Sequence, residues 1–81
     1  MNYRVNFVAA ASGQVPGLPA EAWQALVDEL LIIGIDLHRR GVPDVDDARF
    51  REQTFGAAGL VAYVIDDDAK TVHVYSIVWA G

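Results

Sequence analysis

Residues 59–79 constrain the fold of this chain more than any other stretch. They read GLVAYVIDDDAKTVHVYSIVW, two runs rich in β-branched and aromatic residues on either side of a segment that contains Asp and Lys. Such runs favour strands, and the short polar segment between them favours a tight reversal of the chain. The sequence therefore predicts a β-hairpin here.

The register of this hairpin depends on where its turn is centred. A turn centred near Asp68 places Tyr63 opposite His73, and opposed residues of an antiparallel pair share a face. One face would then be aliphatic and the other rich in aromatic rings. The aliphatic face would comprise Leu60, Ala62, Val64, Val72, Val74, Ser76 and Val78, and the ring-bearing face Val61, Tyr63, Ile65, Thr71, His73, Tyr75, Ile77 and Trp79.

A long helix is predicted before the hairpin. Pro19 suits the first position of a helix, and we expect the helix to run to residue 40, with Gly41 as its C-terminal cap. Basic side chains at 38–40 complement the carbonyl end of the helix, which explains them without a phosphate site. The apolar stripe of this helix comprises Trp23, Leu26, Val27, Leu30, Ile33 and Leu37.

The remaining segments predict two further strands. Residues 3–9 alternate apolar and polar side chains with the period of a strand, and residues 49–55 have extended propensity. Residues 9–15 allow at most a short helical turn. The resulting fold class is α+β, a small antiparallel sheet in β-α-α-β-β-β order, with the first helix short or absent. We expect the long helix to pack on the aliphatic hairpin face, within a single domain of residues 1–81.

Composition and charge disfavour several classes of function for this chain. The net charge is -5, the pI is near 4.6 and the chain holds six Lys and Arg residues. Phosphate contacts dominate nucleic-acid affinity, so direct binding of RNA or DNA is disfavoured. There is no cysteine, no secretion signal and no apolar run long enough to cross a bilayer. We therefore expect a cytoplasmic protein that does not associate with membranes.

Several sequence features together resemble a known family. These are the element order, Leu18-Pro19 at the start of the long helix, Arg51-Glu52 in the second strand, and the strand sequences LVAYVID and TVHVYSI. They resemble the RelE/ParE superfamily of bacterial toxins. The resemblance implies a small sheet with helices on one face and a cognate antitoxin wrapped around it. RelE-like members cut mRNA in the ribosome and ParE-like members poison DNA gyrase, so the ribosome and gyrase are the implied targets.

The chain also departs from the family pattern. Where members commonly carry an arginine just ahead of the third strand, this chain has Gly59, or Leu60 under a shifted alignment. Members with nuclease activity have basic residues and a Tyr or His at or beyond the last strand, where this chain reads IVWAG. We expect the usual nuclease residues to be largely missing, and the protein to act by association with another protein.

Three residues form an alternative catalytic hypothesis, a ribosome-dependent mRNA endoribonuclease. Arg51, at a position where the family often has a basic residue, would stabilise charge on the scissile phosphate, and His73 and Tyr75 would move protons. The simpler interpretation is that these residues line the semi-exposed side of a small sheet, because aromatic cross-strand pairs stabilise sheets without chemistry.

Trp79 and Tyr63 are the predicted partner-binding residues. Trp79 would either cap the sheet or anchor a partner. A third functional hypothesis is a non-toxic, homo-oligomeric structural domain, possible as a homodimer, that buries Trp79 and the ring-bearing face against a second copy. The acidic clusters at 44–47 and 66–68 fit turn chemistry, and no metal site is predicted from them. No phosphate-binding loop or other cofactor motif is present, so no cofactor is expected.

Overall fold

The computed structural model describes residues 3–35 and 41–80. A five-stranded sheet in the order β1-β5-β4-β3-β2 carries two α-helices on one face. The elements are β1 (Arg4–Phe7), α1 (Ala9–Ser12), a 3-10 turn (Val15–Gly17), α2 (Ala20–Ile35), β2 (Val42–Pro43), β3 (Phe50–Phe55), β4 (Gly59–Asp66) and β5 (Thr71–Trp79).

The predicted α+β class and element order are confirmed. The sheet is antiparallel except for β1, which pairs in parallel with β5. Two details were not predicted: the two-residue strand β2, which lies in the segment expected to be a loop, and the parallel orientation of β1. Both lie at the edges of the sheet, where short strands are common.

Helix α2 covers one face of the sheet, which we call the inner face. Its buried side chains include Leu26, Leu30 and Ile33, which pack against β4 and β5. Three and four residues separate them, so they lie on one side of the helix. The expectation that the long helix packs on the hairpin is therefore confirmed. Trp23, expected in the same buried stripe, is instead 38% exposed.

The hairpin register differs from the prediction. Asp66 pairs with Thr71 around a four-residue turn at 67–70, and this places Tyr63 opposite Val74 rather than His73. A register shift between Ala62 and Tyr63 then leaves Tyr75 as an extra residue in β5. Such a bulge allows a strand to change which side chains it presents to each face.

The register decides which side chains lie in the core. The inner face holds Val61, Tyr63 and Ile65 from β4 with Val72, Val74 and Ile77 from β5, all at most 3% exposed. The prediction that Leu60 and Val64 line the covered face is wrong, because a one-residue slip sends alternate side chains to the opposite face. They lie half-buried on the uncovered face, which we call the outer face.

The start of the predicted long helix lies within the described residues, whereas its predicted end does not. Helix α2 begins at Ala20, and the carbonyl of Pro19 accepts a hydrogen bond from the amide of Trp23 at 3.0 Å. Residues 36–40, which include the predicted helix end and the basic cluster His38, Arg39 and Arg40, lie outside the described residues. Gly41 has a φ of 77°, the left-handed conformation that the predicted capping glycine requires.

In the described part of the chain, no helix is both long enough and apolar enough to span a membrane.

Candidate functional site

The three predicted catalytic residues are only partly brought together. Arg51 pairs with Tyr63 across β3 and β4, so its side chain starts on the inner face. A Cβ added at Gly41 would lie 3.3 Å from the Cβ of Arg51 and 2.5 Å from the hydroxyl of Tyr63, which places both side chains on that face. His73 and Tyr75 lie on the outer face. Arg51 and Tyr75 nevertheless line one pocket beside β2, and His73 does not line it.

His73 has two polar neighbours on the outer face. Its Nδ1 lies 3.1 Å from the side-chain amide nitrogen of Asn6 on β1, and its Nε2 lies 3.9 Å from a carboxylate oxygen of Asp66 on β4. An amide donating to Nδ1 leaves the proton on Nε2, which then faces the carboxylate. Both ring nitrogens are thus directed at neighbouring strands.

Tyr75 contacts an aromatic residue two strands away. Its ring lies 6.0 Å from that of Phe50, in an edge-to-face arrangement with an interplanar angle of 68°. Both side chains are 38% exposed. Tyr75 therefore belongs to an aromatic pair on the outer face that the predicted register did not place together.

The structure corrects one of the two predicted partner-binding residues. Tyr63 is 0% exposed, because the observed register turns it under α2, and its side chain belongs to the core rather than to a docking surface. Trp79 is half-buried, packs against the core and stacks on Phe55 with ring centroids 5.9 Å apart. Its position matches a cap at the end of the sheet.

An apolar groove lies between β1 and α2. It has a volume of about 280 Å³ and is open to solvent. Phe7 and Trp23 meet edge to face at its base, with ring centroids 6.1 Å apart. The residues that line the groove are Tyr3, Val5, Phe7, Trp23, Val27, Leu30, Leu31, Gly34 and Ile35.

One wall of the groove is the open edge of the sheet. The amide of Arg4 donates to the carbonyl of Lys70 in the turn before β5, and the amide of Val8 donates to that of Val74 on β5. Because successive residues of a strand turn their backbone groups to alternate sides, the amide and carbonyl groups of Val5 and Phe7 point away from β5. Within residues 3–35 and 41–80, no further strand pairs with this edge, so it can accept an added segment.

The other wall belongs to helix α2, whose charged residues are all acidic and lie outside the groove lining. Helix α2 contains Glu21, Asp28 and Glu29 and no lysine or arginine. Glu21 and Asp28 are exposed, and Asp28 accepts a hydrogen bond from Gln24 at 2.9 Å. At the opposite end of the groove, the ammonium group of Lys70 lies 5.5 Å from the ring centroid of Tyr3.

Sequence reasoning did not identify the groove, although the sequence carries a signal for it. The second half of α2 reads LLIIGI, which places apolar side chains on more than one side of the helix. Leu31 is 63% exposed and Ile35 is 71% exposed. A helix with apolar residues beyond its core-facing stripe has a second surface to cover.

The acidic clusters make local contacts, as turn chemistry requires. The carboxylate of Asp66 accepts from the amide of Ala69 at 3.0 Å, and that of Asp44 accepts from the amide of Asp46 at 2.8 Å. Hydrogen bonds from Arg49 lower the pKa of Asp47. Within residues 3–35 and 41–80, no three acidic or histidine side chains are grouped so as to hold a metal ion.

Comparison with known proteins gives matches by structure and none by sequence. No family model matches the chain, and no curated protein matches it. A chain of the toxin–antitoxin complex RelBE2 from Mycobacterium tuberculosis superposes with a TM-score of 0.81 at 23% identity, covering 98% of this chain and 99% of that one.

Two structures from E. coli match equally broadly. A mutant of the toxin RelE in the free state gives a TM-score of 0.82 at 17% identity, covering 99% of this chain and 85% of that one. A chain of the intact RelBE toxin–antitoxin complex gives 0.73 at 19% identity, covering 98% of each. The resemblance that the strand sequences suggested is thus confirmed in three dimensions: this chain has the RelE fold.

Proposed function

We propose that the chain is the toxin of a toxin–antitoxin pair and acts in the cytoplasm by binding other proteins. The observation that carries this proposal is the apolar groove beside the open edge of β1. Two of the structures that share the fold are toxin–antitoxin complexes. An antitoxin would occupy the groove in this chain.

The groove suits a partner segment with alternating or one-sided apolar residues. An added strand would pair with the backbone of Val5 and Phe7, and a helix would place its apolar face against Leu31 and Ile35. Trp23, 38% exposed at the groove, supplies an aromatic side chain of the kind that concentrates binding energy in interfaces.

Charge further defines the antitoxin. Glu21 and Asp28 are exposed on α2, the helix that forms one wall of the groove, and the net charge of the chain is -5. An acidic antitoxin segment would be repelled, whereas Lys or Arg residues flanking an apolar face would be attracted. The same repulsion between two copies of this chain disfavours the homodimer hypothesis.

We further propose that the toxin lacks the nuclease activity of RelE-like members. His73 does not line the pocket that Arg51 and Tyr75 share, and the side chain of Arg51 starts on the opposite face from His73, which supports this proposal. Gly59, or Leu60 under a shifted alignment, stands where the resemblance implies an arginine. A ParE-like mode, in which the toxin binds a protein such as gyrase, requires no set of catalytic residues. The endoribonuclease remains the competing hypothesis.

Binding and toxicity are tested together with the product of the adjacent reading frame. We expect it to co-purify with the wild-type chain and with the Ile32→Glu variant, but not with Leu31→Glu. Both residues are exposed on α2, at 41% and 63%, and only Leu31 lines the groove. Equal binding by all three proteins would exclude the groove as the antitoxin site.

The mode of action is tested by induced expression without the antitoxin. We expect growth arrest with intact mRNA, unchanged by His73→Ala. Cleaved mRNA that becomes intact in the His73→Ala strain would instead establish the endoribonuclease hypothesis. Normal growth together with failure to bind the neighbouring gene product would refute the toxin assignment.

A further inference from the structure

A second, smaller pocket lies on the outer face, away from the groove. It has a volume of about 170 Å³ and opens between β2, β3 and the ring of Tyr75. Phe50 and Tyr75 form two of its sides, and their interplanar angle of 68° makes an aromatic corner. Each ring keeps 38% of its surface exposed, so ring surface remains accessible to a ligand.

The corner depends on the bulge in β5. Phe50 lies on β3 and Tyr75 on β5, with β4 between them. Val64 of β4 pairs with Phe50, and Ala62 pairs with Glu52 and Ser76. Tyr75 is the extra residue between Ser76 and Val74, so its ring meets that of Phe50 diagonally across β4.

Two carboxylates complete the pocket. The amide of Asp44 donates to the carbonyl of Phe50 at 2.8 Å, which holds Asp44 beside the ring, and Glu52 follows two positions later on the same face. Oδ1 of Asp44 accepts from the amide of Asp46, and Oδ2 remains for a ligand. Among the described residues, the carboxylate of Glu52 makes no hydrogen bond or ion pair.

One basic residue also lines the pocket. The side chain of Arg51 starts on the inner face, and its Nε donates to the carbonyl of Ala48 at 3.0 Å. The lining therefore holds two carboxylates and one guanidinium beside two aromatic rings, which leaves it net negative. Ring faces and carboxylates both attract cations, whereas a phosphate would be repelled.

We propose that this pocket binds a guanidinium group, the arginine side chain of a protein partner. A guanidinium is planar, stacks on aromatic rings and donates two parallel hydrogen bonds to a carboxylate. In this pocket it would lie against Phe50 and Tyr75 and donate to Glu52 and Asp44. The proposal does not depend on the identity of the antitoxin or on toxicity.

The binding is tested by NMR titration of the full chain with acetyl-Gly-Arg-Gly-amide. The control peptide carries citrulline, which has nearly the shape of arginine without its charge. We expect saturable shifts of the backbone amides of Phe50, Glu52 and Tyr75 with the arginine peptide only. Equal shifts with citrulline, or no saturable shift with either peptide, would overturn the proposal.

Three variants locate the site. Glu52→Gln and Tyr75→Leu should each weaken binding of the arginine peptide by about threefold or more, the size expected for an exposed charge or cation–π contact. Tyr75→Phe keeps the ring and should bind within about twofold of wild type. Glu52 is exposed, so its substitution leaves the core intact. Unchanged binding by Glu52→Gln would refute the assignment.

Discussion

Gly59 lies directly beneath the ring of Phe55, its partner across β3 and β4. A Cβ added at Gly59 would come within 2.5 Å of Cζ of Phe55, whose ring is 2% exposed and stacked on Trp79. The close contact explains why no side chain occupies this position. It is one of two positions, with Leu60 under a shifted alignment, at which the sequence resemblance implies an arginine.

We expect Gly59→Ala to destabilise the protein by about 1–3 kcal/mol, because the buried ring cannot move aside without displacing its neighbours. The free energy of unfolding in urea measures the effect. Gly17→Ala is the control, since a Cβ there meets no atom within 4 Å. Combining Gly59→Ala with Phe55→Leu should recover part of the loss, and strictly additive effects would contradict the proposed contact.

The two hairpin tyrosines should respond very differently to truncation. We expect Tyr63→Ala to cost about 3–5 kcal/mol, because Tyr63 is fully buried and its loss leaves a large cavity. Tyr75→Ala should cost about 1 kcal/mol or less, because the ring is partly exposed and contacts mainly Phe50. Urea unfolding followed by far-UV circular dichroism compares the two, and similar losses would contradict the observed register.

The bulge explains why sequence reasoning found the hairpin but not its faces. Residue type and alternation identified both strands, and these signals are local. The register depends on the conformation of the turn, where Lys70 adopts a φ of 53°, and on the extra residue at Tyr75. Neither the turn conformation nor the extra residue produces a distinctive pattern in the local sequence. A one-residue error was enough to place Tyr63 beside His73 as a candidate site, when it belongs to the core.

The contact between Gln14 and Ile77 yields a third prediction. Oε1 of Gln14 accepts from the amide of Ile77 at 2.8 Å, beyond the point where β1 pairs with β5. Gln14→Ala should cost about 1–2 kcal/mol, because the amide loses its partner in a partly buried position. Gln14→Glu should retain most of the stability, since its carboxylate also accepts.

Gln24→Ala is the control for the Gln14→Ala variant. Gln24 donates a hydrogen bond to Asp28 on the exposed side of α2, so no buried group loses its partner. We expect its effect to be within about 0.5 kcal/mol of zero. Amide hydrogen exchange at Ile77 supplies a second measurement, which should accelerate in Gln14→Ala alone. Slow exchange at Ile77 in that variant would show that another group protects the amide.

The titration of Tyr3 provides a pH-dependent test. Its hydroxyl donates to the carboxylate of Asp67 at 2.6 Å, and this hydrogen bond, more than desolvation or charge repulsion, raises the pKa of the phenol. The stabilisation is therefore present below the pKa of an unfolded tyrosine, about 10, and is lost as the pH rises through the folded value.

NMR observation of the ring carbon that bears the hydroxyl follows this titration. We expect Asp67→Ala to lower the pKa of Tyr3, whereas Asp68→Ala, one position along the same turn, should leave it unchanged. A tyrosine that titrates alike in wild type and Asp67→Ala would show that the hydrogen bond does not persist in solution.

The parallel pairing of β1 has a consequence for synthesis in the cell. Arg4 pairs with Thr71, so the strand translated earliest must wait for a partner 67 positions downstream. Contacts between such distant residues form late, because the intervening loop has to close first. Until β5 has left the ribosome, β1 has no strand to pair with. A nascent chain would therefore complete the groove between β1 and α2 only as translation of the sheet is completed.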